Sequence, residues 1–501
     1  LKSKEDLFHL IKALSRSEKR YFTLDAQKSG KKESKYLELF QAINEEEDYD
    51  ESALRNQFGA GLASDKTYLY EAILRSMRDY HSARSLSARL KEWMLDARFL
   101  YERGLFEQSE QRLLDALELA VLLDDRLTLL EINIQHRHLV KSMRKKDYRD
   151  TLKALVRAKE GHIEAVNQEL LYRDIGDELF LEILQFFELK NEAQKTELRN
   201  RFPMLSMPVG ELASAKARWR YLLCMAMYHQ LLGDFDEVFR YYRQVVDWWD
   251  NHPKYKQEEF YFYIIDVSNL LHAFSVREQY HLIPEILDKL AGEEPNSLHT
   301  QSLLFQKSAV YRLMYLINMG VTEGEVRFVT EMEKGLEKYE IKAGTRNALI
   351  INVAILLFIQ GKFQACVKWV QKVIRDKSGA RADILFGAWV LQLPATLSYA
   401  DPDELESVHR ATARFFTKKG TVPPGSFEMR MLEYAKRLAQ CAPSDEKLLL
   451  KEWIHYLEEI STMPGKRPPM GLDELVLYWL RSRVDKVSII QQIQRKIKQI
   501  H

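Results

Sequence analysis

The chain has 501 residues, and Gly (20) and Pro (13) together supply only 33 of them, well under the usual share of about 12%. So few turn formers exclude a β-sandwich or barrel, a collagen-like repeat and a disordered chain. Lys+Arg (74) and Asp+Glu (73) nearly cancel, which argues against a nucleic-acid binder that uses its whole surface.

The opening residues, Leu1 to Asp6, lack the apolar stretch of a signal peptide. Because the chain opens on Leu1 rather than Met, removal of a preceding segment stays open. Residues 1–87 read as a helical N-terminal domain. Leu7, Leu10, Ile11 and Leu14 form one stripe, and Tyr36, Leu37, Phe40 and Ile43 another. Ser29-Gly30-Lys31-Lys32 lacks the upstream glycine of a phosphate loop and reads as a polar loop. Glu45-Glu46-Glu47-Asp48 is a solvated acidic loop. Glu51–Tyr80 reads as helix, glycine turn (Gly59-Ala60-Gly61), helix, with Lys66, Arg75, Arg78, Arg84 and Arg89 on and after the second helix. That arrangement is compatible with a DNA-reading helix-turn-helix. Residues 1–90 hold 16 Lys/Arg against 15 Asp/Glu, however, so a helical cap is the plainer reading.

From residue 88 to 420 the chain repeats itself. Gly104-Leu105-Phe106, Gly233-Asp234-Phe235 and Gly361-Lys362-Phe363 align, 129 and 128 residues apart. Counting from each Gly, a small or medium residue stands at +5 (Ser109, Val238, Cys366), a larger one at +9 (Leu113, Tyr242, Val370) and an apolar one at +12 (Ala116, Val245, Val373). Upstream, Ala97, Ala226 and Ala354 stand at −7, and Trp93, Leu222 and Ile350 at −11. The physics is that of a helical hairpin. Glycine ends the first helix in a left-handed cap, the aromatic plugs the turn, and the small residues let the helices cross closely. Weaker copies start at Lys146, Glu278 and Asp403, and copies near 189 and 320 are degenerate. The implied unit is about 43 residues.

The pattern Trp93, Ala97, Gly104, Phe106, Ser109, Leu113, Ala116 resembles the signature of the tetratricopeptide repeat, with Ser in place of the usual Ala. The N-terminal Leu14–Phe22 and Tyr36–Phe40 also look like uncharacterised bacterial repeat proteins of similar length. The resemblance implies an all-α superhelical solenoid of antiparallel helix pairs, with a concave groove lined by the first helix of each unit. In similar proteins, Asn on that face hydrogen-bonds the backbone of a bound peptide, since an amide both donates and accepts. Here offset −9 holds Asn269, Asn352 and Cys224. Arg98 and His272 stand at −6, and Arg220 at −13. These five polar side chains, Asn269, Asn352, Arg220, His272 and Arg98, are the candidate peptide-binding groove.

Residues 421–501 read as an irregular helical cap, since eight of the 13 prolines fall from Pro394 onward. Pro423-Pro424-Gly425 and Pro464 to Pro469 read as loops. The last helix carries Val484, Val487, Ile490, Ile493, Ile497 and Ile500 on one stripe. Residues 481–501 carry a net charge of +5, from six Lys/Arg against Asp485.

No nucleophile elbow, HExxH or Walker motif occurs. His136-Arg137-His138 places two histidines on different helix faces. Cys224, Cys366 and Cys441 form neither a disulfide framework nor a CxxC metal pair, so a reducing, cytoplasmic setting is expected. The longest apolar run, Ala348–Ile359, spans 12 residues, where a membrane span needs about 20. The expectation is a non-enzymatic scaffold that binds a peptide or protein segment, with no cofactor and no metal. The alternatives are a peptide-responsive transcriptional regulator with an N-terminal helix-turn-helix, and a hydrolase hosted in a cleft.

Overall fold

The computed structural model describes residues 5–28, 35–82, 85–207, 210–295, 297–321, 324–376, 381–418, 425–462 and 468–500. Ser29–Lys32, Arg84, Pro423-Pro424 and Pro464–Arg467 lie outside the described residues. Among those described, the regular structure is helical throughout, as the scarcity of Gly and Pro requires.

Five helices lead: α1 (Asp6–Ala13), α2 (Arg16–Lys28), α3 (Lys35–Glu45), α4 (Glu51–Phe58) and α5 (Leu62–Ser82). The repeat region follows with α6 (Leu86–Glu102), α7 (Phe106–Leu122), α8 (Arg126–Met143), α9 (Tyr148–Phe186), α10 (Glu192–Arg201), α11 (Ala215–Leu232), α12 (Phe235–Asn251), α13 (Pro253–Glu258) and α14 (Phe260–Val276). Next come α15 (Ile283–Ala291), α16 (Leu298–Met319), α17 (Glu325–Lys338), α18 (Ala343–Ile359), α19 (Phe363–Ile374), α20 (Ala382–Leu397) and α21 (Pro402–Lys418). The chain closes with α22 (Phe427–Gln440), α23 (Glu446–Ser461), α24 (Leu472–Asp485) and α25 (Ile489–Ile500). Two compact units divide it: Leu1–Ala273 with Pro295–Gln301, and Phe274–Glu294 with Ser302–His501.

The helices pack in neighbouring pairs, and the aligned glycines show why. Gly104, Gly233 and Gly361 adopt φ of 74°, 78° and 72°. In each turn the next N–H reaches the carbonyl five residues back: Leu105 to Leu100 (3.1 Å), Asp234 to His229 (3.0 Å) and Lys362 to Leu357 (2.9 Å). This closure satisfies a carbonyl orphaned at the helix end and reverses the chain. The degenerate copy near 320 and the weaker copy at Glu278 use it too. Val321 reaches Leu316 (3.1 Å) and Gln279 reaches Phe274 (2.8 Å), the latter with Glu278 rather than Gly left-handed at φ 55°.

The repeat positions are the packed ones. Ala97, Ala226 and Ala354 are buried, as are Ser109, Val238 and Cys366, and Ala116, Val245 and Val373. The turn aromatics cap these contacts, with Phe106 against Tyr101 at 5.3 Å and Phe363 against Phe358 at 5.4 Å between ring centroids. In the first unit, Leu90, Met94, Leu113, Ala116, Leu129 and Ile132 join α6, α7 and α8 in one core. A separate cluster, Leu7, Ile11, Phe40, Leu54, Ile73 and others, lies wholly within the N-terminal helices. In the second unit one core runs from α16 to α25.

Two local features depart from the repeat pattern. Residues 148–186 form one 39-residue helix, where a regular hairpin array would turn partway. Neither Gly161 nor Gly176 inside it takes a positive φ. The stripe expected along a single last helix is also broken. Lys486 is left-handed (φ 55°), so α24 ends at Asp485, one residue after Val484, and Ser488 caps α25. The cap is reciprocal: Gln491 N–H donates to Ser488 Oγ at 3.1 Å, and Ser488 N–H to Gln491 Oε1 at 3.0 Å.

Candidate functional site

The first helices of the first two hairpins, α6 and α8, lie side by side in one direction. Lys91 Nζ donates to Thr128 Oγ1 at 2.6 Å near their starts, and the Tyr101 and Ser142 hydroxyls meet at 3.1 Å near their ends. Those bonds fix the register of a face that stays open. On it α6 exposes Leu95 (68%) and Phe99 (53%), and α8 exposes Leu127 (67%) and Ile134 (53%). The spacings of four and seven residues keep each pair on one side of its helix.

A cleft of about 350 Å³ opens between these helices and the start of α7, lined by Arg98, Tyr101, Glu102, Ser109, Gln135, His138 and Leu139. Arg98 Nε donates to Glu102 at 3.2 Å, and the Arg103 guanidinium covers the Phe99 ring at 3.5 Å. Gln135 Nε2 donates to Glu131 at 3.3 Å. The face therefore joins apolar anchors to side chains that donate and accept. Clustered exposed apolar groups rimmed by polar ones mark interaction surfaces. Arg98 is the candidate groove residue placed here. Tyr101, Glu102 and Gln135 were not picked out from the sequence, and His138 was weighed only as a metal ligand, although Glu102 stands four residues from Arg98, which is the spacing of one helix face.

The other candidates fall elsewhere. Arg220 on α11 stacks on the Trp219 ring at 4.1 Å and approaches Phe262 of α14 at 5.9 Å. Burial and the nearby Arg173 pull its pKa down, and its Nε is buried without a hydrogen-bond partner. Asn269 is half-buried on α14, seven residues after Phe262 and so on the same side. His272, exposed, meets Phe187 edge-on at 6.1 Å. Asn352 belongs to the second unit, and its Nδ2 donates to Ala348 within its own helix at 2.7 Å. The third residue at that offset, Cys224, is not on a wet wall. It is buried against α9, donates to the Tyr172 carbonyl at 2.9 Å, and its thiol is pushed up to about 12 by burial. The long α9 has taken the place a ligand would need there.

Beneath Arg220 lies a polar centre that the sequence did not reveal. Trp219 and Trp249 both donate their indole N–H to Asp266 Oδ2, at 2.7 and 2.8 Å. Asp266 is buried, and burial lifts its pKa to about 6 against the pull of the two indoles and Arg220. A carboxylate held by two indoles deep in a core is a packing device that ties α11, α12 and α14 together.

The helix, glycine turn and helix expected over 51–80 are α4 and α5, with Gly59 at φ 80°. Lys66, named as one of its cations, is instead buried and held by Glu51 (3.1 Å) and the Tyr49 hydroxyl. Arg75 and Arg78 are exposed, and Arg89 is half-buried. The basic end of the chain is largely neutralised internally: Arg481 meets Glu458 and Arg483 meets Glu446, each at 2.5 Å, Arg495 meets Asp485 at 3.3 Å, and Lys496 meets Glu474. His136 is half-buried and its pKa is lowered by burial, and it faces Glu110 at 3.8 Å. Among the described residues no cluster of three His, Cys, Asp or Glu side chains could hold a metal ion, and no helix is long and apolar enough to cross a membrane.

No family model matches the chain, and no curated protein or solved structure is significantly similar to it.

Proposed function

We propose that the chain is a non-enzymatic interaction scaffold, a TPR-like solenoid of helix pairs, and that it binds an extended peptide or protein segment on the face of α6 and α8. The observations that carry this reading are the exposed apolar side chains Leu95, Phe99, Leu127 and Ile134 of α6 and α8 and the cleft lined by Arg98 and Gln135 on the same two helices. The recurring hairpin closure at Gly104, Gly233 and Gly361 supports the repeat assignment.

The chemistry of the face defines the ligand. Leu95, Phe99, Leu127 and Ile134 offer contact area for two or more apolar side chains. Arg98 suits an acidic group, and Gln135 and Glu131 suit backbone amides. The segment we expect is apolar with at least one Asp or Glu. The clamp role first assigned to Asn269 and Asn352 is narrowed, because Asn352 is bonded within its own helix.

Selection of displayed random peptides on the full chain tests the proposal. An enriched consensus with apolar residues around an acidic position is the expected result. No consensus, or a consensus whose binding survives Phe99→Ala, rejects the assignment of this face.

A further inference from the structure

Helix α9 carries apolar side chains on two sides. One side is used: Ala165, Tyr172, Ile175 and Leu179 are buried within the first unit. The other stays open. Leu170, Phe180, Leu181 and Leu184 are exposed there, the last two at 65% and 67%, and Ile163 and Phe187 are more than a third exposed. A helix that is apolar all round is normally covered all round, and contiguous exposed apolar groups mark an interaction surface.

The open side has a seven-residue period. Ile163, Leu170, Asp177 and Leu184 stand seven apart, and Val166, Arg173, Phe180 and Phe187 follow them by three. That is the spacing of a coiled-coil seam, sustained over roughly 36 Å. One polar layer interrupts it at the middle, Arg173 and Asp177, both exposed. Arg173 reaches Glu169 only at 3.6 Å. The Asp177 carboxylate has no ion pair or hydrogen bond among the described residues.

We infer that α9 pairs antiparallel with α9 of a second copy of this chain, about a two-fold axis level with Ile175. In such an interface each residue meets the one equally far on the other side of the axis, and each pairing occurs twice. Ile163 then meets the partner's Phe187, Val166 the partner's Leu184, Leu170 the partner's Phe180, and Arg173 the partner's Asp177. The three apolar pairs match, and the polar pair joins opposite charges. A parallel pair would instead set Arg173 on Arg173 and Asp177 on Asp177, so charge selects the antiparallel arrangement. The polar layer also fixes the register, at some cost in stability. Another protein would have to supply this order of groups, and the chain's own helix already has it.

Sedimentation equilibrium of the full chain tests the inference. A species of twice 59.0 kDa is expected, with a Kd of about 10 μM or below. Leu170→Asp, at an exposed position, should leave a monomer. Arg173→Asp and Asp177→Arg should each weaken self-association by about tenfold or more, because each sets like charges opposite one another. Mixed in equal amounts, these two variants should form a heterodimer as tight as the unsubstituted dimer, since both 173–177 contacts again join opposite charges. A chain that stays monomeric at about 200 μM leaves the face to a different protein and overturns the inference. A dimer that neither charge variant weakens, or charge variants that stay apart on mixing, overturns it too.

Discussion

Ser109 donates its hydroxyl to the Ala97 carbonyl at 2.6 Å, across the crossing of α6 and α7. Both positions are small by the repeat pattern, and Ser109 is almost fully buried. The hydroxyl is therefore satisfied, and it adds a bond that the more usual Ala would lack.

Ser109→Ala should cost about 0.5–1.5 kcal/mol, the net worth of one buried hydrogen bond. Ser109→Leu should cost about 1–3 kcal/mol or more, because the crossing has no room for an extra isobutyl group. Hydrogen exchange over 90–116 reads both locally. The alanine variant should speed exchange by about fivefold, and the leucine variant more. Equal exchange in the two variants would show that the helices do not cross closely at this point.

Asp266 makes the first unit sensitive to pH. Its carboxyl titrates at about 6 when folded, against an ordinary value of 3.8 for the unfolded chain. The folded chain therefore binds the proton more tightly, and the contribution is complete below pH 3.8 and lost as pH rises through about 6. The shift corresponds to about 3 kcal/mol. Asp266→Asn should flatten the stability profile between those limits while keeping an oxygen for both indoles. Asp266→Ala leaves two buried N–H groups unpartnered and should cost ~2–5 kcal/mol at neutral pH. Urea midpoints across that pH range check both; an Asn variant with an unchanged slope would remove Asp266 as the cause.

The glycine turns should not be equally tolerant. At Gly104, φ is 74° and no heavy atom lies within 4 Å of an added Cβ, so Gly104→Ala should cost only the left-handed strain of about 1–2 kcal/mol. At Gly233, φ is 78° and the Cβ would stand 2.9 Å from Glu188 Oε1, so Gly233→Ala should cost more unless Glu188 moves. Pairing it with Glu188→Ala should return the penalty toward that of Gly104→Ala. Thermal melts of the four chains check this; equal penalties for the two single variants would contradict the contact at Glu188.

Hairpin geometry was legible because it depends on a few residues of fixed chemistry. A glycine in a left-handed turn, a small residue at a crossing and an aromatic in the turn each leave a mark at constant spacing. The Ser488 and Gln491 cap was equally readable, yet the apolar stripe running through Val484 and Val487 concealed it. What sequence could not supply was the neighbour of each exposed position. Offset −9 puts Cys224 and Asn352 on equivalent places of their helices, but α9 covers the first, and the second bonds its own backbone. The Asp266 cluster was hidden for the same reason, since Trp219, Trp249 and Asp266 meet only through packing of three helices. Charge totals misled in a similar way, because Lys66, Arg481, Arg483 and Lys496 meet carboxylates outside the stretches or far along the chain.

Side-chain truncation on α6 and α8 tests whether these helices hold the peptide. A labelled peptide of the selected consensus would be titrated by fluorescence anisotropy against the full chain and its Arg98→Ala, Phe99→Ala and Ile134→Ala variants. Leu448→Ala, exposed in the second unit, serves as the control. Phe99→Ala and at least one of the other two should lose about tenfold or more in affinity, with Leu448→Ala unchanged. Unchanged affinity in all three variants would contradict binding on these helices.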